Sequence, residues 1–126
     1  MPDPMLPLPR LGALERRVMD VLWDCPDDLC TRRVLERLTT TPLAYTTIAT
    51  VLTNLTRKGL TERFSTERSW AYRPRLDRNE YVAGLMAQEL AVSDDRARAL
   101  HHLVRGLGPD DMAALREAIR QAHASA

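Results

Sequence analysis

The stretch AYTTIATVLTNLTRKGL, residues 44–60, decides the fold of this chain. Its large apolar residues recur at intervals of three and four positions, which is the spacing of one face of an α-helix. They are Ile48, Val51, Leu52 and Leu55. The pattern predicts a helix from about residue 46 to residue 58 that buries this face, with Gly59 as its C-terminal cap.

The opposite face of this helix is polar but uncharged until its last residue. It consists of Thr46, Thr47, Thr50, Thr53, Asn54 and Arg57. Threonine loses rotamer freedom in a helix, so surface helices favour longer side chains such as Glu, Lys, Gln and Arg. Two interpretations remain open: a neutral surface, or a face that lies against another molecule, where Thr and Asn reach the base edges or phosphates of DNA.

The charge distribution favours the second interpretation. Residues 10–78 carry thirteen Lys and Arg against nine Asp and Glu, a net charge of +4, whereas residues 79–126 carry −2. No acidic residue occurs from Arg37 to Thr61, the segment that contains the polar face. A polyanionic partner would explain such a segment, and the N-terminal part of the chain is therefore predicted to bind nucleic acid.

Two helices are predicted before this segment. Residues 11–23 form an amphipathic pattern that ends before Pro26, and a short second helix follows with Thr31 as its N-cap. Residues 39–42 form a turn that leads into the central helix. Two helices, a turn and a further helix are typical of a helix-turn-helix, whose recognition helix enters the major groove of DNA.

A β-hairpin is predicted after the central helix. Segments rich in Thr and aromatic residues flank a turn at residues 66–68. Trp70 and Tyr72 are two positions apart, so they share one face of the second strand, and we expect both rings in the core. Arg63 and Arg68 either flank a backbone phosphate or belong to an ordinary solvated hairpin.

Three more helices are predicted towards the C-terminus. Asp77 and Glu80 resemble a capping box, residues 93–95 open the next helix, and Pro109 opens the last. These ~48 residues are too few to enclose a core of their own, so their apolar stripes are expected to pair with the same stripes of a second chain. The predicted dimerisation residues are Leu85, Met86, Leu90, Leu100, Leu103, Val104, Leu107, Met112, Leu115 and Ile119.

The predicted fold is mainly α with a small β-hairpin wing: a winged helix-turn-helix followed by a C-terminal helical dimerisation subdomain. We expect an N-terminal tail at residues 1–10, a winged-helix DNA-binding domain at residues 11–76 and a three-helix dimerisation subdomain at residues 77–126. A chain of 126 residues with 44% hydrophobic and 28% charged side chains has the composition of an ordinary globular domain.

Several other classes of protein are not supported. No nucleophile with a base and an orienting group can be named, and no glycine-rich phosphate loop occurs, so neither a catalytic residue nor a cofactor is predicted. Cys25 and Cys30 lack a partner pair at zinc spacing, so no metal site is predicted; they are expected to be inert thiols, with a redox pair as the alternative. No segment approaches the ~20 apolar residues of a membrane span, and we expect a cytoplasmic protein without a signal peptide.

Five fragments, in the same order, resemble the penicillinase-repressor family of regulators, the BlaI/MecI group. The resemblance extends from about Leu11 to Ile119. The fragments are LGALE and VMDVLW (residues 11–15 and 18–23), AYTTIATVL (44–52), KGL (58–60) and WAYRP (70–74).

This resemblance implies a dimeric transcriptional repressor that binds a two-fold operator in double-stranded DNA, without catalysis. Repression would be relieved by a sensor-linked protease that cuts in the fifth helix, where the matching bond is His102–Leu103. The alternative is a winged-helix module that docks a protein instead of DNA. The predicted DNA-binding residues are Tyr45, Thr46, Thr47, Ala49, Thr50, Asn54, Arg57, Lys58, Arg63 and Arg68.

Overall fold

A computed structural model describes residues 8–25, 27–38 and 43–125, and within these ranges the chain forms six helices and three short strands. The predicted helix stop at Pro26, the predicted turn at residues 39–42 and most of the predicted N-terminal tail lie outside the described residues. In chain order the elements are α1 (Ala13–Asp24), β1 (Leu29–Cys30), α2 (Thr31–Arg37), α3 (Tyr45–Arg57), β2 (Thr61–Ser65), β3 (Trp70–Pro74), α4 (Arg78–Ala91), α5 (Arg96–Gly106) and α6 (Pro109–Ser125).

Helix α3 begins and ends within one residue of its predicted bounds, and its four predicted inward residues are all buried. Gly59 has a φ of 83°, the left-handed conformation that glycine adopts without steric cost, so the predicted C-terminal cap is confirmed. The Leu60 amide donates to the Leu55 carbonyl at 3.0 Å and the Gly59 amide to the Thr56 carbonyl at 3.1 Å. These bonds close α3 and turn the chain into β2.

The predicted N-cap of α2 is wrong: Cys30 is the N-cap, and Thr31 is the first helical residue and is buried. The cause is β1, a strand that was not predicted. Leu29 lies opposite Tyr72 and Cys30 opposite Ala71 in an antiparallel pair, so extended backbone continues to the first residue of the helix. A strand of two residues is too short to show an alternating pattern.

The predicted hairpin is confirmed and forms a three-stranded antiparallel sheet with β1, in the order β1-β3-β2. Its turn is closed without glycine. The Thr66 amide and hydroxyl both donate to the Ser69 carbonyl, at 2.7 and 2.8 Å, and the Ser69 amide donates back to the Thr66 hydroxyl at 3.1 Å. A threonine side chain thereby supplies the local hydrogen bonds that hold the tip of the wing.

The prediction that Trp70 and Tyr72 both belong to the core is wrong for Trp70, which is 46% exposed, whereas Tyr72 is buried. Trp70 pairs with Ser65 at the end of the hairpin nearest the turn, farther along the strand than the core reaches. The Arg63 guanidinium stacks over the Trp70 ring instead, 4.3 Å from its centroid.

One hydrophobic core joins the first three helices, the sheet and the beginning of α4. The Trp23 indole N–H donates to the Leu76 carbonyl at 3.0 Å, and the Trp23 and Tyr81 rings lie 5.7 Å apart, so these contacts attach the start of α4 to α1. The largest fully buried side chains are Tyr81, Met19, Leu22, Ile48, Leu52, Leu55, Leu60, Val18 and Val34.

The chain divides into two compact units between Gln88 and Glu89, within α4. We call residues up to Gln88 the winged-helix unit and those from Glu89 the C-terminal unit. Leu85 packs against the core of the winged-helix unit. Of the helices in the described part of the chain, none is long and apolar enough to cross a membrane.

The predicted starts of the last three helices are confirmed. The Glu80 amide donates to the Asp77 carboxylate at 2.7 Å, and the Asp77 amide donates to the Glu80 carboxylate at 3.1 Å, which is a reciprocal capping box. Asp95 caps α5 by accepting from the Arg98 amide at 3.1 Å, and α6 begins at Pro109. Neither α5 nor α6 contains a buried residue.

Candidate nucleic-acid interface

The polar face of α3 is held outward because the opposite face is locked in the core. Ile48, Leu52 and Leu55 have no exposed surface. A helix cannot rotate about its axis without lifting such residues out of the core, so the polar residues keep one direction. Of the residues predicted there, Tyr45, Thr46, Thr47 and Thr50 are exposed, and Ala49 and Asn54 are half-buried.

Two outward threonines use their hydroxyl hydrogens within the helix. Thr50 Oγ1 donates to the Thr46 carbonyl and Thr53 Oγ1 to the Ala49 carbonyl, both at 2.9 Å. A hydroxyl that already donates its only hydrogen within the helix can only accept a hydrogen bond from another molecule. At these two positions the face presents a hydrogen-bond acceptor and a methyl group, which are chemically suited to amino groups and apolar atoms.

The C-terminal end of α3 carries two cations with different surroundings. Arg57 is exposed, and its Nη2 donates to Asn54 Oδ1 at 3.0 Å, which orders the guanidinium along the polar face. Lys58 Nζ forms an ion pair with Glu15 Oε2 at 2.8 Å, and Glu15 Oε1 accepts from the Gly12 amide at 3.0 Å. Lys58 therefore has an internal counter-ion, which any phosphate would have to share.

The contacts with Lys58 and Gly12 also change the pKa of Glu15. The hydrogen bond from Lys58 holds the pKa of Glu15 below its usual value against the opposing effect of burial, and the Gly12 amide acts in the same direction as Lys58. A carboxylate stabilised in its ionised form tethers the start of α1 to the end of α3.

The wing carries the remaining predicted DNA-binding residues. Arg63 is stacked on Trp70, and Arg68 is exposed at the tip of the hairpin. As far as the described residues show, neither guanidinium has an acidic partner. Arg73 is different, because it pairs with Glu62 at 2.5 Å and its guanidinium lies 4.8 Å from the centre of the Phe64 ring.

A groove of about 580 Å³ lies between the wing tip and α2. Arg68 contributes to one side, and Arg33 and Arg37 of α2 contribute to the other. These two α2 arginines were not among the predicted site residues, although their four-residue spacing places them on one helix face. Asp27, Asp28 and Glu67 also line this groove, so its charges are mixed.

The predicted DNA-binding residues lie in one unit, whereas the predicted dimerisation residues fall in both: Leu85 and Met86 belong to the winged-helix unit and the other eight to the C-terminal unit. All ten predicted DNA-binding residues belong to the winged-helix unit, on α3, at its C-terminal end or on the wing. His102 and Leu103 lie in the middle of α5 and are exposed.

Cys25 and Cys30 are free and half-buried. Within the described ranges, no group of three or more His, Cys, Asp and Glu side chains could hold a metal ion.

Most predicted dimerisation residues are exposed or half-buried in the single chain. Met86 is 53% exposed, Leu100 45%, Leu103 43% and Ile119 49%. Leu90, Leu107, Met112 and Leu115 are half-buried.

Comparison with known proteins adds independent information. A family model described as penicillinase repressor matches residues 11–121. The transcriptional regulator BlaI of Mycobacterium tuberculosis, in two strains, is 43% identical over 124 residues, which cover 95% of this chain and 90% of the relative. A solution structure of the DNA-binding domain of the repressor BlaI matches with 29% identity and a TM-score of 0.52, over 61% of this chain and 94% of that chain.

The Glu15–Lys58 pair makes stability depend on pH in a defined direction. Because the pKa of Glu15 is lowered on folding, its contribution is present above the unfolded pKa and is lost as the pH falls through the folded pKa. We expect Glu15→Gln to lower the free energy of unfolding by less than about 1 kcal/mol at pH 7, since the pair is partly solvated. Urea unfolding of wild type and variant should differ at pH 7 and converge towards pH 3.

Glu36→Gln is the matched control, because Glu36 is exposed on α2. It should leave the free energy of unfolding unchanged at both pH values. A Glu15→Gln effect of the same size at pH 7 and pH 3 would contradict the assignment.

Proposed function

We propose that this chain, which belongs to the penicillinase repressor family, represses transcription by binding two-fold operator DNA as a homodimer. The observation that carries the proposal is the outward polar face of α3, fixed by the buried face behind it. The solved BlaI domain is named as a DNA-binding domain of a repressor, and 61% of this chain matches it. The function is regulatory, and the relatives are transcriptional regulators rather than enzymes.

In this proposal α3 lies in the major groove, which is wide enough to admit a helix. The back-bonded hydroxyl of Thr50 would accept from the amino group of adenine or cytosine, and threonine methyl groups would contact the methyl group of thymine. Thr46, Thr47, Ala49 and Asn54 would face the same base edges. Tyr45 is 52% exposed at the start of α3, where it would contact the DNA backbone.

Cations around this helix would hold the phosphates. Arg57 and Lys58 are placed at the end of α3, and Arg63 and Arg68 on the wing would reach the neighbouring stretch of backbone. Each neutralised phosphate steepens the salt dependence of binding by about one unit. These contacts supply affinity and position, whereas the helix face supplies sequence preference.

The apolar residues of the C-terminal helices would form the dimer interface. An isologous interface repeats the same patch on both chains, so one exposed stripe is sufficient to make a closed dimer. Two linked recognition helices then read two half-sites related by a two-fold axis. Occupation of such a site excludes the transcription machinery.

A sensor-linked protease is the proposed route of relief. The His102–Leu103 bond lies within α5, where backbone hydrogen bonds protect it, although both side chains are exposed. Cutting there would require α5 to open locally and would divide the apolar stripe. Separation of the dimer would follow from the loss of a continuous interface.

Selection from a randomised duplex library tests the proposal directly. Purified protein is incubated with the library at near-physiological salt, bound duplexes are amplified, and the enriched sequences are read. We expect a motif with two-fold symmetry. Salt-dependent binding without any enriched motif would contradict sequence-specific repression, and a single half-site motif would contradict binding as a dimer.

Substitutions on the outward face of α3 and at its C-terminal end are expected to change DNA binding in different ways. Thr47→Ala or Thr50→Ala should reduce discrimination between the selected operator and random duplex by ~1 kcal/mol, because a base contact is lost. Arg57→Ala should weaken binding to both duplexes alike and lower the salt slope by about one unit. Titrations at several salt concentrations measure both effects. Equal losses on both duplexes for the threonine variants would contradict their role.

The dimer interface has its own test. Leu103→Asp places a carboxylate in the proposed apolar contact, where it has no partner, so we expect a monomer. The matched control is His102→Asp, which adds the same charge at the neighbouring exposed position on the other side of α5. Light scattering at equal concentrations gives the masses. A Leu103→Asp protein that stays dimeric would contradict the assigned interface.

A further inference from the structure

The chain passes over α4 before α1 begins, and the contact is specific. One amide side chain holds both polar groups of the Leu8 backbone: the Leu8 amide donates to Gln88 Oε1 at 2.6 Å, and Gln88 Nε2 donates to the Leu8 carbonyl at 3.0 Å. This arrangement imitates the pairing of neighbouring strands. We call Leu8 and Pro9 the N-terminal strap.

A second anchor lies nearly two helical turns earlier on α4. The Tyr81 hydroxyl donates to the Pro9 carbonyl at 2.6 Å, and Tyr81 itself is 1% exposed. Its ring is in contact with Trp23 of α1. The strap is therefore bonded to a side chain that the core already holds in place.

Between the two anchors, α4 has a gap that fits the strap. A Cβ atom at Gly84 would lie 2.3 Å from Leu8 Cδ1, closer than two carbon atoms can approach. Glycine is a poor residue for the middle of a helix, so its presence there needs a structural reason. The Leu8 side chain provides that reason, because it occupies the space that any other residue would fill.

The position of the strap matters because of where α4 leads. Its residues up to Gln88 belong to the winged-helix unit, and its last residues belong to the C-terminal unit, which carries most residues of the proposed dimer interface. The contacts at Tyr81, Gly84 and Gln88 cover the length of α4 that lies in the winged-helix unit. They hold this helix against the unit that reads DNA.

We propose that the N-terminal strap, seated at Gly84 and bonded to Tyr81 and Gln88, fixes α4 and so determines which half-site separation the dimer accepts. The inference rests on the proposed function, since it requires two recognition helices joined through α4. Adding one base pair between half-sites moves them apart by about 3.4 Å and rotates one by about a tenth of a turn. A firmly held α4 rejects that change, and a released α4 tolerates it.

Two variants release the strap in different ways. Gly84→Leu fills the gap and displaces the Leu8 side chain from it, while improving the helix-forming character of α4, so loss of folding is not expected. Deletion of residues 2–9 removes the strap itself. The matched control is deletion of residues 2–6, which leaves Leu8 and Pro9 in the chain.

The probes are duplexes built from the selected two-fold motif, with its own separation and with one or two base pairs added or removed, together with a duplex containing a single half-site. We expect wild type and control to lose about 100-fold in affinity for each altered separation, and the two released variants to lose about tenfold or less. Affinity for the single half-site should be the same for all four proteins, which separates spacing from base recognition.

The outcomes are distinct. Released variants that reject altered separations as strongly as wild type would overturn the proposal, as would equal tolerance in the 2–6 deletion. A wild-type protein that binds the single half-site but shows no preference for any separation would overturn it while leaving DNA binding intact. A wild-type protein that binds none of these duplexes would overturn the proposed function and this inference with it.

Discussion

Burial of the inner face of α3 is the constraint on which the rest of the molecule depends. Ile48, Leu52 and Leu55 have no exposed surface, and the side chains against which they are buried come from α1, α2 and the sheet. This packing determines the direction of the outward threonines, and the Gly59 cap then sends the chain into the wing. The positions of the recognition helix and of the wing thus both depend on the same buried contact. A cavity under α3 would disturb both.

The cations on the surface of the winged-helix unit fall into two groups: some form ion pairs between helices, and others line a groove. Arg78 pairs with Asp20 and Asp24 of α1, and Lys58 pairs with Glu15, so these cations help to attach α4 and α3 to the first helix. Arg33 and Arg37 of α2 and Arg68 at the wing tip border a groove instead. A count of basic residues does not distinguish these two groups, and only the identity of each neighbour does.

The sequence was informative where a feature is local or periodic. The spacing of three and four residues predicted α3, and the three-residue separation of Asp77 and Glu80 predicted the capping box. It was uninformative where a contact joins distant positions. Strand β1 exists because Leu29 pairs with Tyr72, the Lys58 ion pair spans 43 residues, and the strap joins positions 80 residues apart. The prediction that Trp70 is buried was wrong because the two-residue period of a strand shows which face a side chain lies on, but not how far along the strand the core extends.

The exposure of Trp70 gives this protein a built-in optical reporter. The chain has two tryptophans in different surroundings: Trp23 of α1 is half-buried against Tyr81, with its N–H bonded to the Leu76 carbonyl and the Arg16 and Arg78 guanidiniums near its ring, whereas Trp70 is exposed on the wing under the Arg63 guanidinium. Indole emission shifts and quenches with the polarity and charge around the ring. With Trp23 replaced by phenylalanine, fluorescence would follow the wing alone, and with Trp70 replaced it would follow the contact between α1 and the start of α4, without any label attached.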